Sequence, residues 1–181
     1  GPWNQDKYTK NKKGHPEGSI FWGDAGRLRN GKGSPYEGGY RLPCIARWPG
    51  KIPAGRKSDA IFATIDFMPT FASLCGFNVP DDRKIDGIDQ TNLLLGKSEK
   101  GRETFYFDRA GIRKGKWKYL KADAHFYGYA REDSRPKEEE LYNLEKDLEE
   151  KNNLAKKHPK ILAELRKLTE SMPKDSPGGI H

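Results

Sequence analysis

Four short runs of aromatic and aliphatic residues in the second half of the chain place the strongest constraint on its fold. They are separated by turn residues and lie at Thr104 to Asp108, Ala110 to Arg113, Trp117 to Lys121 and Glu140 to Leu144. Runs of this length, bounded by turns, are typical of short strands that pair as antiparallel neighbours. The sequence therefore predicts a small antiparallel sheet in this part of the chain.

A helix is predicted directly after these strands. His158-Pro159 opens it, and proline is well tolerated in the first turn, where its missing N–H has no helical partner to lose. The apolar residues that follow recur at helical spacing and form one face, which consists of Ile161, Leu162, Leu165, Leu168 and Met172. We expect this face to pack on the sheet.

A second helix is predicted over Phe67 to Cys75. Asp66 is a suitable N-cap, and Gly76 is the expected terminator, because glycine accepts the left-handed backbone at a helix end. Phe67, Phe71 and Leu74 fall on one stripe, which we expect to be buried. Upstream, Arg41 to Trp48 alternates apolar and polar residues, which indicates a strand, and Pro43 places that strand at a sheet edge or a bulge.

Charge is distributed unevenly along the chain. Residues 1–58 hold 12 Lys and Arg against 4 Asp and Glu, whereas the remainder is balanced, so the net charge of +8 arises entirely from the first third. We expect this basic part to attract anionic partners. A solvated basic loop explains the lysines of residues 7–13 equally well, and a non-catalytic nucleic-acid or glycan-binding module is the least favoured alternative, because charge asymmetry alone supports it.

Composition limits the remaining function classes. Apolar residues make up 34% of the chain, and even with its glycines counted the chain only reaches the lower end of the about 45–50% of ordinary domains, so we expect part of the core to lie outside it. No segment has the apolar length of a membrane span. Cys44 and Cys75 fit no zinc spacing, and buried free thiols are favoured over a disulfide. The chain begins without Met or a signal sequence, which indicates a fragment and leaves its compartment open.

The glycine-rich segment contains the candidate site. Gly26 to Lys32 matches most of a P-loop, but Gly33 stands where Ser or Thr is required and no helix can follow directly, so nucleotide binding is excluded by this route. Lys32 lies between Gly31 and Gly33, where little steric cover would keep a small anion from its ammonium group. From the residues alone, an ordinary surface lysine is the favoured interpretation.

Several motifs, in order along nearly the whole chain, resemble those of the sulfatase family. They are GRLRNGKGSPYEGGYRLPCIARWPGKIPAG from Gly26 to Gly55, TIDFMPTFASLCG from Thr64 to Gly76, IDGID from Ile85 to Asp89, GIRKGKWKYL from Gly111 to Leu120 and ELYNLEKDLEEKNNLA from Glu140 to Ala155. The segment before Gly26 is the least similar. The resemblance implies an α/β fold of the alkaline-phosphatase type. This chain would supply the C-terminal part of its mixed sheet with flanking helices (residues 1–100), and a small antiparallel subdomain with a closing helix (residues 101–181).

The resemblance also implies an activity, the hydrolysis of sulfate esters with a formylglycine and calcium. Lys32 matches the lysine that binds a sulfate oxygen, and His15 and Arg29 are further substrate-binding candidates, although a loop histidine and a structural ion pair explain these two as well. Neither Cys44 nor Cys75 lies in a formylglycine motif, and no cluster in this chain makes a metal site. Nucleophile and calcium ligands are therefore expected upstream, and the chain alone is expected to be inactive.

The resemblance leaves some partners and alternatives open. Expected partners are a sulfated small molecule or glycan, the N-terminal part of the same protein and, for the isolated chain, further copies of itself through unpaired strand edges; nucleic acid and membrane are not expected. Hydrolysis of phosphate or phosphonate esters on the same fold is the main alternative, because Lys32 does not distinguish sulfate from phosphate.

Overall fold

The computed structural model describes residues 24–124 and 135–172 of the chain. It divides into two compact units, one formed by residues 1–42 with 106–181 and the other by residues 43–105. The segment that carries Lys32 thus belongs to the same unit as the C-terminal strands. The predicted domain boundary between residues 100 and 101 stays a prediction.

The structure contains an antiparallel sheet with strand order β1-β2-β3-β4, of which β2, β3 and β4 belong to the first unit. Its strands are β1 (Thr104–Tyr106), β2 (Gly111–Lys114), β3 (Trp117–Leu120) and β4 (Glu140–Asn143). In the register, Ile112 lies opposite Tyr119, and Tyr119 lies opposite Leu141. The predicted antiparallel sheet is confirmed, and with it the α/β class.

One face of the sheet carries the predicted closing helix, α4 (Pro159–Glu170), with Pro159 in its first turn. The core between this face and α4 consists of Ile112, Tyr119, Leu141, Ala155 and Leu165, with Ile161, Leu162 and Leu168 packed around them. Burying each large aliphatic side chain contributes about 1.5–3 kcal/mol, so this face supplies much of the unit's stability. The predicted apolar stripe is confirmed except for Met172, which lies beyond the end of the helix.

The opposite face of the sheet is covered by the segment that contains Lys32. Successive side chains of a strand point to opposite faces, so Lys118 and Leu120 of β3 and Glu140 and Tyr142 of β4 share this side. Tyr36 packs there against Leu120, Tyr142 and Leu144. A four-residue helix, α1 (Glu37–Tyr40), follows Tyr36 directly. This face is therefore partly apolar and partly ionic.

The second unit contains α2 (Phe67–Leu74), preceded by a 3-10 turn at Thr64–Asp66, and α3 (Thr91–Leu94). Asp66 is the N-cap residue of α2 and Gly76 follows its end with φ of +75°, as predicted. Asp66 is completely buried, but its carboxylate does not cap α2. It accepts hydrogen bonds from Ala63 N–H at 2.9 Å, Ile88 N–H at 2.9 Å and the Gln90 amide at 2.6 Å, and it pairs with Arg102.

The predicted buried stripe of α2 is wrong. Pro69 and Thr70 are its buried residues, whereas Phe71 is 52% exposed. Residues 87–90 pack on the Pro69 side, where Thr70 Oγ1 accepts the Gln90 N–H at 3.0 Å and Gly87 approaches Ile65 and Pro69 too closely for a side chain. The packing and hydrogen bonding of residues 87–90 therefore decide which face of α2 is covered, and the spacing of its aromatic residues does not.

Three further expectations differ from the structure. Within the part of the chain described, Arg41 to Trp48 forms no strand, because alternation defines two faces but cannot supply the neighbouring backbone that a strand needs. Cys44 and Cys75 are free, as favoured, but they are exposed rather than buried. Across residues 24–124 and 135–172, no helix combines the length and apolar character needed to cross a bilayer.

Candidate functional site

Lys32 stands at the tip of a closed loop, which we call the lysine loop (residues 29–38). Its base is closed by the Gly38 N–H, which donates to the Arg29 carbonyl at 2.9 Å, and the tip is a tight turn in which the Ser34 N–H donates to the Gly31 carbonyl at 3.1 Å. Asn30 and Gly33 adopt φ of 57° and 86° on either side of Lys32. The Lys32 side chain is exposed. Its backbone is thus fixed while its side chain reaches solvent.

Two glycines permit this closure. A Cβ at Gly38 would lie 2.0 Å from the Asn30 carbonyl oxygen and 2.5 Å from that of Arg29. A Cβ at Gly39 would lie 2.2 Å from the Ser34 carbonyl oxygen. These contacts are with backbone atoms, which cannot move aside as a flexible side chain could, so the sequence Gly38-Gly39 is a steric requirement for the loop.

Ionic contacts beneath the loop hold it to the sheet. The Lys118 ammonium is completely buried and donates a hydrogen bond to Glu37 Oε1 at 3.0 Å. It also lies 2.9 Å from Glu150 Oε1 and 4.3 Å from the centre of the Phe107 ring. Arg113 of β2 and Arg41 approach Glu37 Oε2 at 3.9 and 3.8 Å. Buried charges of this kind persist only where they are paired.

The two carboxylates of this cluster differ in acidity. Burial by itself raises the pKa of Glu37, but Lys118, with Arg113 and Arg41, outweighs that effect and holds the pKa below its ordinary value. Burial also raises the pKa of Glu150, and there Lys118 offsets the effect only in part. Glu150 is therefore the carboxylate of the cluster that is more costly to keep ionised.

Arg29 lies at the base of the loop, where it meets internal partners. Its guanidinium donates to the Tyr142 hydroxyl at 2.8 Å and to the Glu150 carbonyl at 2.9 Å. It also stacks 3.7 Å above the Tyr36 ring and lies 3.7 Å from Glu140 Oε2. These contacts suit a structural cation, and a role for Arg29 toward substrate stays a prediction.

Of the three predicted site residues, the structure brings Lys32 and Arg29 to the same loop. His15, the third candidate, lies outside the described residues. Within residues 24–124 and 135–172, no group of three or more His, Cys, Asp or Glu side chains could hold a metal ion. This part of the chain therefore presents an exposed lysine on a backbone that is held by hydrogen bonds.

Sequence reasoning missed the residues beneath the loop. Lys118 lies between Trp117 and Tyr119 in β3, where alternation alone predicts a solvent-facing lysine, and only the pairing of the loop with that face buries it. A run of glutamates such as Glu138 to Glu140 is usually solvated, but Glu140, the first residue of the predicted strand, is buried in β4. The available signal was ELYNL, in which Glu140 shares the strand face of Tyr142.

Comparison with known proteins decides the family. A family model described as N-sulphoglucosamine sulphohydrolase, C-terminal, matches residues 31–175. The chain belongs to the sulfatase family. The match begins at Gly31, next to Lys32, and includes the sheet and α4 of the first unit as well as the whole second unit. The sulfatase resemblance of the sequence motifs is therefore confirmed.

Curated sulfatases extend the likeness over most of the chain. An N-acetylgalactosamine-6-O-sulfatase of Bacteroides thetaiotaomicron is 36% identical over 175 residues, which are 93% of this chain and 33% of that protein. The steryl-sulfatase of Homo sapiens is 41% identical over 105 residues, 55% of this chain and 18% of that protein. The chain thus spans a third or less of the length of these relatives.

A solved structure shows the same fold. It comes from work on the metabolism of multiple glycosaminoglycans by Bacteroides thetaiotaomicron, and it superposes with a TM-score of 0.69 at 35% identity. The alignment covers 81% of this chain and 32% of that one. Sulfatases typically use calcium and a formylglycine, but the described residues offer no donor set for the cation.

Proposed function

We propose that this chain is the C-terminal part of a sulfatase that hydrolyses sulfate esters, and that Lys32 binds a sulfate oxygen in its active site. The observation that supports the proposal is the lysine loop. It presents an exposed ammonium on a backbone closed at residues 29 and 38 and fastened to a sheet. A lysine whose backbone is already in place has less to reorganise when the substrate arrives.

The role of Lys32 follows from the charge that sulfate ester cleavage creates. As the S–O bond to the leaving group breaks, negative charge redistributes over the sulfate oxygens and the leaving oxygen. An ammonium within hydrogen-bond distance of one of these oxygens stabilises the transition state more than the ester. Nucleophile and calcium ligands belong, on this proposal, to an N-terminal part of the same protein, so the chain alone is inactive.

We favour a sulfated carbohydrate as the substrate class. The Bacteroides thetaiotaomicron relative is an N-acetylgalactosamine-6-O-sulfatase, and the superposed structure comes from work on glycosaminoglycans. The excess positive charge in residues 1–58 suits a polyanionic substrate, because clustered charge raises the local concentration of ligands of opposite sign.

The test uses a chimera in which this chain replaces the matching third of the Bacteroides thetaiotaomicron N-acetylgalactosamine-6-O-sulfatase. We expect the chimera to release sulfate from 6-O-sulfated N-acetylgalactosamine and the chain alone to release none. Lys32→Ala should lower kcat about 100- to 1000-fold, as the loss of one transition-state donor does elsewhere. Lys116→Ala is the matched control, because Lys116 follows Gly115 in an exposed turn of the same unit; it should leave kcat within about twofold.

Two results would count against the proposal. An active Lys32→Ala chimera would remove Lys32 from the site. Turnover that does not fall with added salt would contradict the attraction of substrate by the basic segment, because screening weakens such attraction.

A further inference from the structure

Glu150 connects to both ends of the lysine loop. Its carboxylate Oε2 accepts the N–H of Glu37, at the start of α1, at 2.7 Å. Its backbone carbonyl accepts the guanidinium of Arg29, at the other end of the loop, at 2.9 Å. One residue thus bonds to the chain three residues before Lys32 and five residues after it.

Glu150 itself is held under strain. Its φ of 53° lies in the left-handed region, and the residue is 1% exposed. A non-glycine residue in this region is costly and persists only where its surroundings over-determine it. The surroundings here are the Asp147 carbonyl, which accepts the Glu150 N–H at 3.2 Å, and Lys118 at 2.9 Å from Glu150 Oε1.

Stability alone is a weak explanation for such a residue. Two carboxylates, Glu37 and Glu150, share the buried ammonium of Lys118. Buried ion clusters are often no more stable than apolar packing of the same volume, because desolvation offsets their attraction. Their best-attested benefit is that they specify one arrangement, and here the specified element is the loop that presents Lys32.

We propose that Glu150 is a positioning residue for Lys32. It fixes both ends of the lysine loop, so that the ammonium stands ready for the sulfate group before the ester binds. This inference rests on the proposed function of Lys32. Lys118 supports it by holding the Glu150 carboxylate, and Arg29 supports it as the donor to the Glu150 carbonyl.

The first experiment measures loop order in the chimera by amide hydrogen exchange with residue-level mass spectrometry. The reporters are the N–H groups of Gly38 and Ser34, which close the loop. Glu150→Ala removes the acceptor of the Glu37 N–H and should speed exchange of both reporters at least tenfold. The β3 and β4 ladder amides should be unchanged, which separates local loosening from unfolding.

Two variants control this measurement. Glu150→Gln keeps a side-chain oxygen for the Glu37 N–H and should restore most of the protection. Glu145→Ala removes an exposed glutamate five residues earlier and should change nothing. Unchanged exchange at Gly38 and Ser34 in Glu150→Ala would overturn the proposal. Should that variant fail to fold, Glu150→Asp takes its place, because it withdraws the carboxylate by one methylene.

The second experiment asks whether Glu150 acts through Lys32, with a double-mutant cycle in the chimera. Glu150→Ala should lower kcat about tenfold with a smaller change in KM. In the Lys32→Ala background it should lower kcat no further, because the effects of two substitutions are not additive when one residue acts through the other. Equal losses in both backgrounds would refute positioning and leave the function of Lys32 intact. Full activity of Lys32→Ala would instead refute the proposed function, and with it the purpose of the positioning.

Discussion

Replacing Lys118 by methionine tests whether the ionic face of the sheet is held by that ammonium. The side chain is completely buried, and its Nζ lies 3.0 Å from Glu37 Oε1 and 2.9 Å from Glu150 Oε1. Methionine fills a similar volume but leaves both carboxylates without this cation. Glu37 keeps Arg41 and Arg113 at 3.8 and 3.9 Å, whereas Glu150 keeps the neutral N–H of Glu37.

The size of the stability loss in Lys118→Met follows from the Glu150 carboxylate, which is left buried without a cation. Removing one partner of a buried ion pair costs about 3–5 kcal/mol in the free energy of unfolding. Part of that cost depends on pH. Burial holds the pKa of Glu150 above its ordinary value, and loss of Lys118 raises it further. A carboxyl group with a raised folded-state pKa favours the folded state at low pH and disfavours it as pH rises through that pKa.

Urea denaturation followed by tryptophan fluorescence measures both effects, and Trp117 in β3 reports on this unit. We expect Lys118→Met to lose about 3–5 kcal/mol near pH 8 and clearly less near pH 5, where Glu150 takes up a proton. Lys121→Met, an exposed lysine just after the same strand, should lose less than about 0.5 kcal/mol. In Lys118→Met with Glu150→Gln, most of the pH dependence should disappear.

Two outcomes would refute this reasoning. A loss below about 1 kcal/mol in Lys118→Met would mean that the carboxylates find water or other partners and that the ammonium does not hold this face. A loss of the expected size that is the same at both pH values would mean that packing, rather than the ionised Glu150, carries the cost.

Two further predictions concern the second unit. Asp66→Asn should lower its unfolding free energy by about 2–4 kcal/mol near neutral pH, against no change in the exposed control Asp81→Asn. Burial alone would raise the pKa of Asp66, but the bonds from Arg102 and its other donors hold it below its ordinary value, so the difference should shrink as pH falls through that lowered pKa. The isolated chain should self-associate and bind a hydrophobic dye, because this unit exposes large apolar side chains such as Ile45, at 95% exposure. A monodisperse monomer in analytical sedimentation that also binds no dye would contradict this.

The sequence predicted the elements whose partners lie nearby in the chain. The strands over residues 104–143 and the helix from Pro159 appear where expected, since consecutive strands pair in chain order and the helix packs on the sheet that precedes it. The strand at Arg41 to Trp48 did not form, because its alternation says nothing about which backbone would pair with it. The stripe of Phe67 and Phe71 was misassigned because a distant amide, Gln90, binds the other side of the helix.

The candidate site divides in the same way. Lys32 could be found because glycines flank it and because the motifs around it resemble a family. Lys118 and Glu150 could not, since their sequence separation from Glu37 hides the contact, and a lysine or glutamate in a polar segment is usually solvated. What the sequence lacks is the knowledge that residues 29–38 cover the ionic face of the sheet.

The strict alternation of β3 has a consequence for how this part of the chain can vary. Lys118 and Leu120 face the lysine loop, while Tyr119 faces α4. Side chains alternate with a period of two, so one inserted or deleted residue within this strand would exchange the two faces. Lys118 would then point into the apolar core under α4, and Tyr119 would point to the ionic face. Length changes are therefore tolerable at the Gly115 turn and forbidden two residues later. The strand separates an ionic face from an apolar one, and neither face accepts the side chains of the other. Natural variants should therefore differ in the residue types of β3 but not in its length.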